Sequence, residues 1–321
     1  MILGFIDHDR GKLDEISLEM LTLGRQLAQE ESTELAAVLI GEAARPLLPQ
    51  LAAYGVTTTY LIQHDNLDDY APEAWAQSIV ELIGTASPQA VLAPGTDRGY
   101  EVLAHVAARL DLPLAANVTA VTPGDEYQVI RLRWGGSLLE EASLKGKPKL
   151  LTIAPHALAA EEGSGVSETA VHTITPTLND KDFRVRVTNR VSSGQDGISL
   201  TEARVVVGGG RGVGSPEGFA VLEELATLLH GAVGGSRVAT NLGWRPHADQ
   251  IGQTGTRIAP DLYIACGISG AIQHWVGCKG AKRILAINTD AEAPMVTKAN
   301  YAVIGDLHEV LPAIIAEIQK S

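Results

Sequence analysis

Short apolar runs alternate with amphipathic helical segments along most of this chain. That rhythm restricts the fold more than any single motif does. "ILGFI" precedes the helical pattern "SLEMLTLGRQLAQ", in which Leu18, Leu21, Leu23 and Leu27 share one side. "ELAAVLI" is followed by "RPLLPQLAAYG", "TTYLI" by "EAWAQSIVELIG", and "QAVLAP" by "GYEVLAHVAARLD". Strands separated by helices of roughly 10–15 residues predict βαβ units and a mostly parallel sheet. Between Asn117 and His156 the rhythm changes. "YQVIRLRW" and "KPKLLTIAP" read as an antiparallel addition. The polar stretch "NRVSSGQDGIS" reads as a linker, flexible near Ser192–Gly197, and "ARVVVGGG" opens a second βαβ series. The expectation is an α/β protein of two doubly wound parallel-sheet domains, residues 1–195 and 196–321, without a sequence repeat between them.

Length agrees, because 321 residues exceed the roughly 250–300 at which one core stops growing. Residues 1–200 carry 15 Lys+Arg against 27 Asp+Glu, whereas residues 201–321 carry 10 against 11. An acidic chain with no basic stripe is a poor nucleic-acid binder, since neutralised phosphates supply most of that affinity. The nearly neutral second half is the better home for an anionic ligand. "MILGFIDHDRGK" is too short an apolar run for a signal-peptide core, and no run approaches the ~18 residues of a membrane helix. Cys266 and Cys278 have neither metal-ligand spacing nor disulfide density. A cytoplasmic protein is expected.

The first half offers little chemistry. "APGTDRGYE" places Thr96, Asp97 and Arg98 at a strand-to-helix turn, where an Asp cap explains the residues as well as a ligand does. The histidines have no i, i+4 pair, so no zinc site is predicted, and Gly-Lys-Ser/Thr of a P-loop is absent. "KGKPK" reads as solvated protection of a sheet edge.

The second half is richer. "VVVGGGRGVGSPEGF" is a strand and a glycine-rich turn, serving either close ligand approach or tight packing on the sheet. The dinucleotide fingerprint G-x-G-x-x-G fails there, with Val213 or Ser215 in the third glycine's place, while Arg211 is suited to clamping a phosphate. Further polar groups fall at expected strand ends: Ser236 and Arg237, Asn288, and Asp306. A polar loop, "DQIGQTGTRIAP", holds Gln253 and Thr254. Parallel strands align these ends along one crevice, which suits an extended ligand. "YIACGISGAIQHW" reads as a buried strand turning into a helix, with His274 about one turn inside.

"SRVATNLGW", "QIGQTGT", "LYIACGISGAIQH", "AIN" and "GDLHEVLPA", in this order, resemble the FAD-binding domain of the electron-transfer flavoprotein alpha subunit. The likeness is close over residues 204–321. The first half is similar more loosely, through "DHDRGKLDEISLEMLTLGRQLA". The resemblance implies a Rossmann-like C-terminal domain holding FAD. It also implies a heterodimer with a beta subunit that carries AMP or a second FAD. Electrons would come from flavin dehydrogenases and go to a membrane quinone oxidoreductase, with no substrate chemistry of the chain's own.

It further implies residue roles. Thr254 would give its hydroxyl to flavin N5, with Gln253, Gly252 and Ile251 along the same edge. His274 would face the pyrimidine oxygen O2, and Arg237 the isoalloxazine ring, with Ser236 beside it. Ser269, Gly270, Ala271, Ile272 and Gln273 would form the wall and phosphate turn, with Ser269 as helix cap. Arg211, Asn288, Asp306 and Leu307 would hold the pyrophosphate and adenosine end. A donor or a cation beside O2 would stabilise the reduced ring; a unit charge about 4 Å away, at an effective dielectric near 20, would be worth roughly 4 kcal/mol, or about 170 mV, as an upper figure.

Asn241, Thr289, Asn300 and Cys266 depart from the residues usual at those places, which bears on the adenosine side at Thr289 and Asn300. The alternatives are a bifurcating relative whose partner carries a second FAD, and a dinucleotide-binding regulatory module that transfers nothing.

Overall fold

The computed structural model describes residues 1–163, 168–189, 198–201 and 203–320, in two compact units, Met1–Val191 and Ser192–Ser321. The expected linker lies almost wholly outside the described residues.

In the first unit, β1 (Ile2–Phe5) is buried at every position, as a central parallel strand covered on both faces requires. It leads through the hairpin β2 (His8–Asp9) and β3 (Lys12–Leu13) to α1 (Ile16–Glu30). β4 (Leu35–Ile40), α2 (Leu48–Ala53), β5 (Thr58–Ile62), α3 (Pro72–Ala86), β6 (Ala90–Pro94) and α4 (Asp97–Leu110) follow. β7 (Leu114–Thr122), β8 (Tyr127–Arg133), β9 (Leu138–Leu144), β10 (Lys149–Ile153) and β11 (Ala170–Ile174) complete one nine-stranded sheet. Its order is β11-β5-β4-β1-β6-β10-β7-β8-β9. Leu21 and Leu27 of α1 pack on one face, and Trp75, Ile79, Val102 and Val106 of α3 and α4 on the other.

Three expectations are corrected here. β8 and β9 are antiparallel, but β10, the "KPKLLTIAP" segment, lies inside the sheet, parallel to β6 and β7. Its burial at every position is the reason: an edge addition would leave one face wet. Lys149 of "KGKPK" is therefore buried, with its ammonium 5.2 Å from the Tyr127 ring centroid, and protects no edge. The helix expected over "RPLLPQLAAYG" is α-helical only over Leu48–Ala53; its first three residues belong to a 3₁₀ stretch, Glu42–Leu47, with Pro46 inside it. Finally, Thr96 caps α4 through its hydroxyl, not Asp97. Arg98 turns back to donate to the His8 carbonyl at 2.9 Å and to Asp9 at 3.1 Å.

The second unit contains β12 (Val205–Gly209), α5 (Ala220–Leu228), β13 (Ala232–Gly235) and α6 (Arg237–Asn241). It continues with β14 (Leu262–Cys266), α7 (Ile272–Cys278), β15 (Ile284–Asn288), α8 (Pro294–Lys298), β16 (Tyr301–Ile304) and α9 (Leu307–Ile318). All five strands are parallel, in the order β13-β12-β14-β15-β16. The chain winds outward from β12 to β13, then returns to β14 on the other side. The strand order reverses between β12 and β14, and in an open α/β sheet that switch point is where a ligand crevice forms. Cys266 is a small core residue under this edge, as expected.

Candidate functional site

The glycine-rich turn after β12 is shaped by protein packing. A Cβ on Gly208 would meet the Tyr263 hydroxyl at 2.4 Å, one on Gly210 the Gly267 carbonyl at 2.3 Å, and one on Gly212 the Gly267 Cα at 2.7 Å. The turns after β12 and β14 thus press backbone on backbone. Gly267 (φ +60°) and Gly270 (φ +79°) bend the second of them in a way L side chains disfavour.

Beyond these turns, at the C-terminal ends of the strands, lies a cleft of about 660 Å³. Arg211, Ser236, Arg237, Ser269, Gly270, Ala271, Gln273, His274, Asn288, Asp306 and Leu307 all line it. Each arrives there for a local reason. Ser236 ends β13 and caps α6, its Oγ accepting from the Ala239 amide at 3.4 Å. Asp306 does the same for α9, through the His308 amide at 2.9 Å. Asn288 ends β15 and donates to the Ile268 carbonyl at 3.0 Å, tying two strand ends together. Arg211 and Arg237 are exposed, and among the described residues no carboxylate pairs with either.

Ile251, Gly252, Gln253, Thr254 and Ile272 lie beside the cleft and are not among its lining residues. The loop carrying the first four is sewn in by the Ile251 amide donating to Gly235 at 2.8 Å and the Gln253 amide donating to Gln273 at 2.7 Å. Gly277 of α7 sits on Gly252 so closely that a Cβ there would meet its Cα at 2.4 Å. Thr254 is exposed, and its hydroxyl accepts from Gln250 Nε2 at 3.0 Å. Ile272, an apolar residue 66% exposed, opens α7 beside the cleft.

His274 is 7% exposed. Its Nε2 lies 2.8 Å from the hydroxyl of Tyr263, which is fully buried. Burial drives the Tyr263 phenol well above its usual range, so it stays protonated. A neutral phenol can donate or accept; donation to Nε2 leaves only Nδ1–H unpartnered, where the reverse would leave both the phenol proton and Nδ1 unpartnered. The imidazole proton then belongs on Nδ1, a buried atom with no hydrogen-bond partner. Burial lowers the imidazole to about 4, partly offset by a contact with the Ile251 backbone that falls outside hydrogen-bond geometry and so leaves Nδ1 without a partner among the described residues. Of the two expected characters, donor or cation, the imidazole at neutral pH has that of a neutral donor, and the unit-charge figure does not apply to it.

Two more corrections follow. Ser269 does not cap α7. Ala271 occupies that position and offers no side-chain hydrogen bond, because Gly270 turns the chain one step later than Ser269 would. Asn300 is not on the adenosine side. Its Oδ1 accepts from the Ile284 amide at 2.8 Å, at the opposite end of β15 from the cleft, whereas Thr289 and Asn241 do line it.

Sequence reasoning missed Gln250 and the partnership of Tyr263 with His274. Gly208 was the available signal for the latter, since a glycine inside a strand marks the close approach of a neighbour. Among the described residues no His, Cys, Asp and Glu cluster has metal-site geometry, and no helix is long and apolar enough to cross a membrane.

The model of the electron transfer flavoprotein domain matches residues 2–179, and that of the electron transfer flavoprotein FAD-binding domain matches residues 199–279. The electron transfer flavoprotein subunit alpha of Thermoanaerobacterium thermosaccharolyticum is 34% identical over 98% of this chain and 97% of its own. That of Mycobacterium leprae is 37% identical over 96% and 95%, respectively. Protein FixB of Clostridium saccharobutylicum is 34% identical over 98% and 95%. The chain belongs to the electron transfer flavoprotein alpha-subunit family.

Proposed function

We propose that the cleft between β12 and β14 holds FAD, and that the chain works in a heterodimer with a beta subunit. The heterodimer takes electrons from flavin dehydrogenases and delivers them to a membrane quinone oxidoreductase. It is a cytoplasmic carrier with no substrate reaction of its own. The observation that carries this reading is His274: a buried Nδ1 with no partner among the described residues, on the wall of a cleft whose rim bears two arginines that pair with no carboxylate among those residues. Orphaned buried polar groups are rare and call for an acceptor.

The donor set fits FAD. Arg211 and the turn Gly267–Gly270, which lines the cleft, suit a diphosphate, and Asn288, Asp306 and Leu307 suit the adenosine end. Arg237, with its planar guanidinium, suits the face of a flavin ring. His274 offers a neutral N–H to a ring oxygen, and Thr254 a hydroxyl to N5. Ile272 and the α7 wall limit water at that edge. When bound, the flavin supplies the one- and two-electron chemistry, and the protein sets its environment.

The test is to co-express the chain with its beta subunit, count FAD per heterodimer and follow anaerobic reduction by a flavin dehydrogenase and its substrate. One FAD that is reduced and then reoxidised by a quinone oxidoreductase supports the proposal. Two FADs would favour the bifurcating alternative. Tight nicotinamide-dinucleotide binding with no flavin would favour the regulatory module.

A further inference from the structure

Gln250 is 1% exposed, unusual for a side-chain amide, and its hydrogen bonds are directional. Gln250 Nε2 donates to the Thr254 hydroxyl at 3.0 Å, while Gln250 Oε1 lies 3.0 Å from the Thr240 hydroxyl, whose single proton it shares with the Arg237 carbonyl at 3.2 Å. The backbone holds the amide in place. The Gln250 N–H donates to His247 at 3.0 Å, and its carbonyl accepts from Thr256 at 2.7 Å. A Cβ on Gly255 would meet that carbonyl at 2.2 Å, so the loop closes around Gln250 only with glycine there.

The direction of this chain decides what Thr254 can do. A hydroxyl has one proton and two lone pairs. Nε2 occupies a lone pair, so the proton remains free to point outward from the exposed Thr254. With the amide reversed, Thr254 would spend its proton on Oε1 and present only lone pairs. We infer that Gln250 is a positioning residue that fixes Thr254 as a hydrogen-bond donor toward the cofactor through its Nε2–H on the Thr254 hydroxyl. This rests on the FAD reading above: oxidised flavin N5 has a lone pair and needs a donor. Gln250 touches no cofactor and acts only through Thr254.

The experiment uses the full chain with its beta subunit. FAD affinity and the N5 resonance of nitrogen-15-labelled FAD are measured for wild type, Gln250→Met, Thr240→Val, Thr254→Val and the double variant Gln250→Met/Thr254→Val. Thr254→Val is expected to weaken FAD binding about tenfold and Gln250→Met about fivefold, within the usual worth of one hydrogen bond. The double variant is expected to be no weaker than Thr254→Val alone, and N5 to shift the same way in Gln250→Met as in Thr254→Val. Thr240→Val, at a less buried site, should give a smaller shift of the same sign, and it serves if Gln250→Met fails to fold. Additive losses in the double variant, or an unmoved N5 in both Gln250→Met and Thr240→Val, would overturn the inference. If only Thr240→Val folds, an unmoved N5 there does the same. A complex that binds FAD normally with Thr254→Val removes the role of Thr254 and the inference with it, leaving FAD binding intact. A wild-type complex that binds no FAD defeats the functional proposal itself.

Discussion

The Tyr263 hydroxyl sits 2.8 Å from His274 Nε2, with Tyr263 fully buried and His274 only 7% exposed. One comes from the strand β14, the other from the helix that follows it, so the turn between them sets the pair. A phenol that donates to one imidazole nitrogen leaves the proton to the other. Tyr263→Phe removes that constraint. The chain is expected to lose about 1–2 kcal/mol of stability from the broken buried bond. FAD affinity should fall by roughly tenfold as Nδ1 loses its assured proton. A fluorescence titration with FAD, beside a urea melt, checks both; unchanged affinity would mean that Nδ1 does not face the cofactor.

Gly208 and Tyr263 are a second matched pair. A Cβ at Gly208 would meet the Tyr263 hydroxyl at 2.4 Å, so Gly208→Ala should cost about 1–3 kcal/mol by overpacking. Adding Tyr263→Phe removes the clashing oxygen and should recover part of that loss. Gly210→Ala meets backbone instead, and Tyr263→Phe should not rescue it. Denaturant midpoints of the four variants decide the matter.

Stability of the C-terminal unit should depend on pH through His274. Burial lowers its folded value to about 4 from 6.5, so between these limits only the unfolded chain binds the proton. Stability is therefore full above about 6.5 and falls as pH drops toward 4, by up to about 3 kcal/mol. Hydrogen exchange of β14 amides at pH 7 and pH 5 reads the difference. His274→Gln should flatten it, and an equal slope in the variant would refute the assignment.

In the N-terminal unit, Asp7 is buried at the end of β1 and its carboxyl is raised above the usual range by desolvation. It accepts from Thr96 at 2.6 Å, and Arg98 lies 3.8 Å away. Arg98→Met leaves a buried carboxylate without its cation and is expected to cost about 3 kcal/mol or more. Asp7→Asn/Arg98→Met together should cost less than Arg98→Met alone. Thermal melts of the three variants test this ordering.

The parallel strands were legible in the sequence because buried strands are written as continuous apolar runs, such as "LAAVLI" and "LYIAC". β10 was misplaced because "KLLTI" has the same local pattern whether it lies inside a sheet or beside it. Lys149 added a misleading charge whose burial depends on a distant aromatic ring. The cleft residues were readable as a set, since strand ends in a parallel sheet converge. What could not be read was geometry between side chains far apart in sequence: the phenol beneath His274, the relay through Gln250, and the turn that puts Ala271 where Ser269 was expected.

The most direct test of the central claim is an experimental structure of the heterodimer loaded with FAD. The account predicts FAD in the cleft between β12 and β14, its flavin ring by Thr254, Arg237 and His274 and its diphosphate by Arg211 and the Gly267–Gly270 turn. FAD seated elsewhere, or a cleft filled by the chain's own side chains in the loaded complex, would contradict it.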